Sequence, residues 1–220
     1  MALPPLPGRT RVLVVDDHPA IREALAWMIQ NASDLELVGQ AGTADAAFAL
    51  VKTERPDVVV VDVAMPDTHG LDFVRSLLSI YSELGVVVYS VYDEMIYAER
   101  ALRAGALGYV MKRESSRVVQ EAIRSVARGE AYLSRAMSSR IVTQAAGKRS
   151  RVPGALTDLL TDREVAVLQL VGEGCDLDEI ASRLHITRKT AETHRRHVKE
   201  KLELHSIPEL LVFAVRWAET

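Results

Sequence analysis

From Arg11 onward the chain alternates two hydrophobic rhythms. Short, mostly apolar runs (RVLVV, LELVGQA, the four valines Val58 to Val61, GVVVYS and ALGYVM) alternate with longer stretches whose apolar residues recur every three or four positions. The short runs read as strands, and the valine run as one buried on both faces; the longer stretches read as helices with one apolar side. The helical stretches are PAIREALAWMIQN, TADAAFALVKTERP, HGLDFVRSLLSIYSE, DEMIYAERALRAG and ESSRVVQEAIRSVARG. In the first, Ile21, Leu25, Met28 and Ile29 share a face and Pro19 stands near the start. Thr43 or Asp45 is placed to cap the second, which must stop before Pro56. Gly105 and Gly129 close the fourth and fifth. Alternating strands and helices of this kind predict one α/β domain, a doubly wound five-stranded parallel sheet. Right-handed crossovers favour the strand order 2-1-3-4-5.

After Gly129 that alternation stops. YLSRAMSSRIVTQAAG predicts a single helix with Ser134 as its cap, and GKRSRVPG reads as a basic, flexible linker. A small all-α domain follows. Thr161 and Glu164 have capping-box spacing ahead of VAVLQLV, and Asp176 to Glu179 repeats that logic before Ile180, Ala181 and Leu184. Thr187 caps a third helix, RKTAETHRRHVKEKL, and Ser206-Ile207-Pro208-Glu209 opens a fourth. Four short helices, the second and third joined by a tight turn, predict a helix-turn-helix unit. The domain boundaries expected are a tail at 1–9, the α/β domain at 10–129, a linker with a helix at 130–155, and the helical domain at 156–220.

Composition narrows the options. A chain of 220 residues, 48% hydrophobic, has the length and apolar content for two packed cores. No apolar run is long enough to span a membrane, and MALPPLPGR lacks the apolar centre of a signal peptide. A single cysteine, Cys175, excludes an internal disulfide, fits a reducing cytoplasm, and reads as a helix-end residue. The net charge of −3 does not announce a nucleic-acid binder, so charge has to be examined locally. Between Thr187 and Leu202 six basic residues (Arg188, Lys189, Arg195, Arg196, Lys199, Lys201) face two glutamates. Ala191 and Val198 supply an inward stripe, and His194 lies on it. A basic third helix of this kind suits the major groove, its first turns at base edges and other residues at phosphates.

Chemistry gathers at the strand ends. The first strand closes on Asp16 and Asp17, the third on Asp62, the fourth on Ser90 and the fifth on Lys112. Parallel strands bring all of these to one edge of the sheet, where ligands bind in open α/β folds. Three crowded carboxylates repel one another, and a hard divalent cation such as Mg2+ relieves this. Asp62 is then placed as a nucleophile toward a phosphoryl group, with Lys112 and Ser90 supplying positive charge and a hydroxyl to its oxygens. Neither a general base nor a pocket for a second substrate is evident. The chemistry suits a switch, in which new charge at Asp62 draws in Ser90 and an aromatic such as Tyr109 repacks.

The pieces VLVVDDHP, VVVVDVAMPDTHG, VYS and GYVMK resemble the flavodoxin-like receiver domain of bacterial two-component response regulators. LTDREVAVLQLVGEG, DEIASRLHITRKTAETHRRHVKEKL and HSIPELL resemble the LuxR-type helix-turn-helix. Together they are similar to the NarL/FixJ family, with Ala191 a departure where valine is usual. The resemblance implies Asp62 as phosphoacceptor, and Mg2+ held by Asp17, Asp62 and the Ala64 backbone carbonyl with Asp16 assisting. It further implies Ser90 and Lys112 as phosphoryl-sensing groups and Tyr109 as the switch aromatic. Ala64 and Tyr92 stand where phosphoryl lifetime is tuned, while His18 reads as a loop residue. Candidates for DNA contact are Arg188, Lys189, Thr190, Glu192, Thr193, Arg195, Arg196 and Lys199. The implied partners are a histidine kinase, promoter DNA, a second copy on phosphorylation, and RNA polymerase, with no membrane. The only activity expected is self-phosphorylation from a phosphodonor and slow autodephosphorylation at Asp62. Two alternatives compete: a constitutive DNA-binding protein whose receiver serves only dimerisation, and a phosphatase. The phosphatase lacks a carboxylate two residues beyond Asp62, where Ala64 stands.

Overall fold

The computed structural model describes residues 8–63, 65, 71–145, 159–184 and 186–218. The chain divides into two compact units, Met1–Ile141 and Val142–Thr220.

In the first unit the strands are β1 (Thr10–Val15), β2 (Leu35–Ala41), β3 (Val58–Val61), β4 (Gly85–Ser90) and β5 (Gly108–Met111). They pair in parallel in the order β2-β1-β3-β4-β5, the order expected. β3 is central, with Val61 opposite Val15 on one side and Val88 on the other, and all four of its valines are buried. Because side chains alternate along a strand, each face gets its own core. Val12, Val14, Val58, Val60, Val87 and Val110 pack with Leu25, Ile29 and Ile123. Those three belong to α1 (Pro19–Gln30) and α5 (Ser116–Ala127). The opposite face is covered by α2 (Ala44–Glu54) and α3 (Leu71–Ile80), where Phe48 and Phe73 meet edge to face at 5.5 Å. Thr43, not Asp45, caps α2, and Arg55 ends it in a left-handed conformation just ahead of Pro56. Helix α4 (Glu94–Arg103) starts four residues after Ser90 and is capped by Asp93.

The connector begins as part of this unit. Tyr132 forms a parallel bridge to Gly108, giving its N–H to the Leu107 carbonyl (2.8 Å) and accepting from the Tyr109 N–H (3.0 Å). Helix α6 (Arg135–Ala145) starts with the Ser134 hydroxyl accepting from the Met137 N–H, the cap the sequence suggests. The carboxylate of Glu94, at the start of α4, accepts the Ser134 N–H at 2.8 Å, and Arg140 donates to the Met95 carbonyl. The border between the two units falls within α6. The GKRSRVPG segment lies outside the described residues.

The second unit holds α7 (Asp162–Gly172), α8 (Leu177–Arg183), α9 (Arg188–Lys201) and α10 (Ile207–Ala218). Both expected capping boxes form, Thr161 with Glu164 and Asp176 with Glu179, and Thr187 caps α9. Val165, Leu168, Ile180, Ala191, Val198 and Leu210 are buried in its core. Gly172 allows α7 to approach α10 closely, since a Cβ there would lie 2.8 Å from the Ala214 carbonyl oxygen. That neighbour is backbone and has little room to move. Gly172→Ala is therefore expected to destabilise the second unit by about 1–3 kcal/mol, as overpacking does. Urea unfolding followed by circular dichroism checks this; an unchanged midpoint would contradict the tight α7–α10 contact.

Candidate functional site

Apolar strands deliver the polar groups to one edge. β1 ends at Val15 and hands the chain to Asp16 and Asp17; β3 ends at Val61 and hands it to Asp62. β4 closes on Ser90, and Lys112 follows the last residue of β5. Asp16 and Asp62 are only 1% and 2% exposed. A carboxylate buried to this degree needs a cation or hydrogen bonds. Lys112 provides both, its Nζ lying 2.7 Å from Asp16 Oδ2 and 2.7 Å from Asp62 Oδ2. Burial by itself pushes the Lys112 ammonium toward deprotonation. The charges and hydrogen bonds of Asp62 and Asp16 outweigh it and hold the group above its usual value.

The rest of the acidic loop is tied from within. Arg22 on α1 donates to the Asp16 carbonyl at 2.6 Å, passing close to Gly42. The His18 N–H donates to Asp16 Oδ1 at 2.8 Å, and its ring Nδ1 lies 3.2 Å from that oxygen and 2.9 Å from Asp17 Oδ1. Ligand atoms of Asp16, Asp17, His18 and Asp62 all fall within 4.8 Å of one another. The acidic residues therefore form a cluster fit for a metal ion. Hard carboxylate oxygens suit Mg2+, and a buried Asp17 Oδ1 without a hydrogen-bond partner is an oxygen available to it. Ala64, the remaining expected ligand, lies outside the described residues, as do Pro66 and Gly70.

Ser90 is fully buried and its Oγ accepts the Tyr92 N–H at 3.2 Å. The expected switch aromatic, Tyr109, already points inward. It is 2% exposed, and its hydroxyl donates to the Tyr92 carbonyl at 2.9 Å. Burial drives its phenol pKa well up, against the opposing hydrogen bond with Ser90. Tyr92 in turn stacks on Tyr97 at 4.5 Å. Sequence reasoning missed three neighbours of the site. Arg22 and Tyr89, whose ring lies 5.9 Å from Lys112 Nζ, gave no motif signal. His18 was visible beside the two aspartates, but nothing in the spacing shows that its ring turns toward them.

In the second unit α9 exposes Arg188, Lys189, Glu192 and Arg196, with Thr190, Thr193, Arg195 and Lys199 half-buried. Thr190 shares the N-cap with Thr187, and Thr193 bonds back to the Lys189 carbonyl. Arg188 pairs with Asp178 on α8, and Arg196 lies 3.8 Å from Glu200. Lys201, though exposed, is engaged within the unit. It reaches the buried Glu164 at 2.6 Å and ties the end of α9 to the capping box of α7. His194 is half-buried among packed residues, and burial first, then the charge of Arg163, lowers its pKa.

Comparison with known proteins agrees with this geometry. Residues 12–124 match the model of the response regulator receiver domain, and residues 158–214 that of the bacterial regulatory proteins of the luxR family. The response regulator GacA of Pseudomonas viridiflava is 34% identical over 207 residues, covering 94% of this chain and 95% of its own. The transcriptional regulatory protein YxjL of Bacillus subtilis is 30% identical over 209 residues, covering 94% and 96%. Among solved structures, RcsB of Salmonella enterica serovar Typhimurium bound to promoter P1flhDC matches with a TM-score of 0.61 at 21% identity. It covers 94% of this chain and 99% of that one, a likeness of fold.

The Glu164–Lys201 pair makes a pH prediction. Burial raises the Glu164 pKa, but the hydrogen bonds from Lys201 and Thr161 outweigh it and bring it below its ordinary 4.5. A carboxylate depressed in the folded state adds stability above its unfolded pKa, and loses it as pH falls through the folded value. Glu164→Gln is expected to cost about 1–3 kcal/mol at neutral pH by removing charged hydrogen bonds. The gap between variant and wild type should close as the pH drops below 4.5. Thermal melts across that range check it; a gap independent of pH would refute the assignment.

Proposed function

The chain belongs to the NarL/FixJ family of DNA-binding two-component response regulators, and on that premise we propose that Asp62 accepts a phosphoryl group from a histidine kinase and thereby controls promoter binding. The observation that carries this reading is the Lys112 ammonium held 2.7 Å from both buried carboxylates, Asp16 and Asp62, at the strand ends. A carboxylate oxygen of Asp62 attacks phosphorus, the phosphorus–nitrogen bond of the donor phosphohistidine breaks, and its electron pair leaves on the imidazole. The product is an acyl phosphate on Asp62. Lys112 stays beside the transferred group and faces its oxygens. Asp16, Asp17 and Asp62 are the residues to hold Mg2+, joined in this reading by the Ala64 carbonyl. When bound, the ion neutralises charge on the phosphoryl oxygens. Apart from this receipt of phosphate and its slow hydrolysis, the protein is not an enzyme.

The response runs through groups that already touch one another. Ser90 turns its hydroxyl from the Tyr92 N–H toward the phosphoryl oxygens, which shifts the loop leading to Asp93 and Glu94. Glu94 holds the start of α6, and Tyr109 is bonded through its N–H to Tyr132. Ser90 and the switch aromatic Tyr109 are thus linked to the connector that leads to the DNA-binding unit. The outcome is dimerisation and occupation of paired half-sites through linkage, with RNA polymerase as a further partner in the cytoplasm. One observation favours the constitutive reading. Tyr109 is already inward and hydrogen-bonded, so its ring has no inward move left to make.

Genome-wide DNA affinity of the full chain, with and without Mg2+ and acetyl phosphate, separates the two. Tighter binding at discrete sites, lost in Asp62→Asn together with labelling, supports the phosphorylation switch. Equal binding in all three cases supports the constitutive reading, and labelling retained in Asp62→Asn removes Asp62 as acceptor. Independently, Arg196→Ala is expected to weaken DNA binding by about 1–3 kcal/mol while leaving Asp62 labelling intact. Unchanged affinity would reject the outward orientation of α9 as the reading face.

A further inference from the structure

The outward row of α9 carries one carboxylate among its cations. Lys189, Glu192 and Arg196 follow one another at three and four positions and are all exposed, while Ala191 and Val198 face the core. We propose that Glu192 reads cytosine, accepting the N4 amino group of that base in the major groove, and so sets a base preference of the promoter half-site. The proposal deepens the reading of α9 as the helix that enters the groove and rests on it.

Three observations carry it. First, Glu192 is unengaged. Arg188, Lys189, Arg195 and Arg196 all stand within about one turn of it, yet among the described residues none forms an ion pair with it. Arg188 turns to Asp178 at 3.2 Å. Arg196 lies 3.8 Å from Glu200, although a glutamate four residues ahead of a cation is the better-placed partner. Glu200, the other carboxylate of α9, is therefore occupied. Second, the hydroxyls beside Glu192 are engaged inside the helix. Thr190 Oγ1 lies 2.8 Å from Thr187 Oγ1, and Thr193 Oγ1 donates to the Lys189 carbonyl at 3.0 Å. Glu192 is the acceptor of the first two turns that is left to face a base. Third, its charge is the wrong one for the backbone of DNA. Phosphates repel a carboxylate in the groove, so Glu192 gains only opposite a donor on a base edge.

The base edges select the donor. In the major groove only cytosine N4 and adenine N6 carry amino hydrogens. Adenine N6 is flanked by acceptors on both sides, its own N7 and thymine O4. Cytosine N4 has an acceptor on one side only, guanine O6. An ionised carboxylate, which accepts and cannot donate, is repelled less at cytosine.

Selection of binding sites from random-sequence duplex DNA tests this, with the full chain in Mg2+ and acetyl phosphate, as wild type, Glu192→Gln and Glu192→Ala. Wild type is expected to enrich a cytosine at one position of each half-site. Glu192→Gln keeps the shape of the side chain and should turn that preference to adenine, because an amide both donates to N7 and accepts from N6. Glu192→Ala should lose the preference at that position alone and bind unselected duplex more tightly. Exchanging that C·G pair for T·A should cost wild type about fivefold or more in affinity, and Glu192→Ala less than about twofold. The same preference at every position in all three proteins overturns the proposal. Weaker binding of Glu192→Ala to selected and unselected DNA alike also overturns it, since Glu192 would then support α9 without reading a base. Wild type that enriches no sequence removes the sequence-specific DNA-binding reading and this proposal with it, which tells the two failures apart.

Discussion

Everything at the edge of the sheet depends on one ammonium group between two buried carboxylates. Lys112 leaves β5, crosses the end of β4, and meets Asp62 from β3 and Asp16 from β1. Two negative charges nine-tenths or more out of water are tolerated because an opposite charge, on a side chain itself only 10% exposed, bonds to both. The contact also demands its scaffold. It exists only if these strands run parallel, in this order, and end at the same level, and the uninterrupted apolar runs of β1 (Val12–Val15), β3 (Val58–Val61) and β4 (Val86–Val88) ensure that. The price of the arrangement is sensitivity: taking away Lys112 leaves two uncompensated charges indoors, with a cost on the order of 3–5 kcal/mol.

Much of this was legible in the linear chain, because the decisive information was local. Strand order follows from apolar runs alternating with amphipathic stretches, and the positions of Asp62, Ser90 and Lys112 follow from where those runs stop. Caps at Thr43, Ser134, Thr161, Asp176 and Thr187 were readable for the same reason: a cap is a short-range hydrogen bond between a side chain and the next turn. The grouping of Asp16, Asp17 and Asp62 likewise needed only the parallel sheet.

What escaped was set by long-range packing. The direction of the His18 ring is decided by where the folded loop places the Asp16 and Asp17 carboxylates, not by spacing along α1. Lys201 counted as one more basic residue of the third helix until the fold showed it bonded to Glu164, because a tally of charge carries no information on burial. The inward pose of Tyr109 depends on a carbonyl seventeen residues away. The fold-back of the connector depends on partners on β5 and α4, which no linker composition announces.

That fold-back has a consequence for how copies of the protein can meet. A strand at the margin of a sheet offers unpaired N–H and carbonyl groups to any passing backbone, and invites irreversible stacking of sheets from different molecules. Tyr132 covers β5 at Leu107 and Tyr109 with the chain's own backbone. Association on that side is thereby left to side chains, whose contacts dissociate and respond to charge. Blocking backbone pairing at Tyr109 removes the one kind of contact between copies that does not let go.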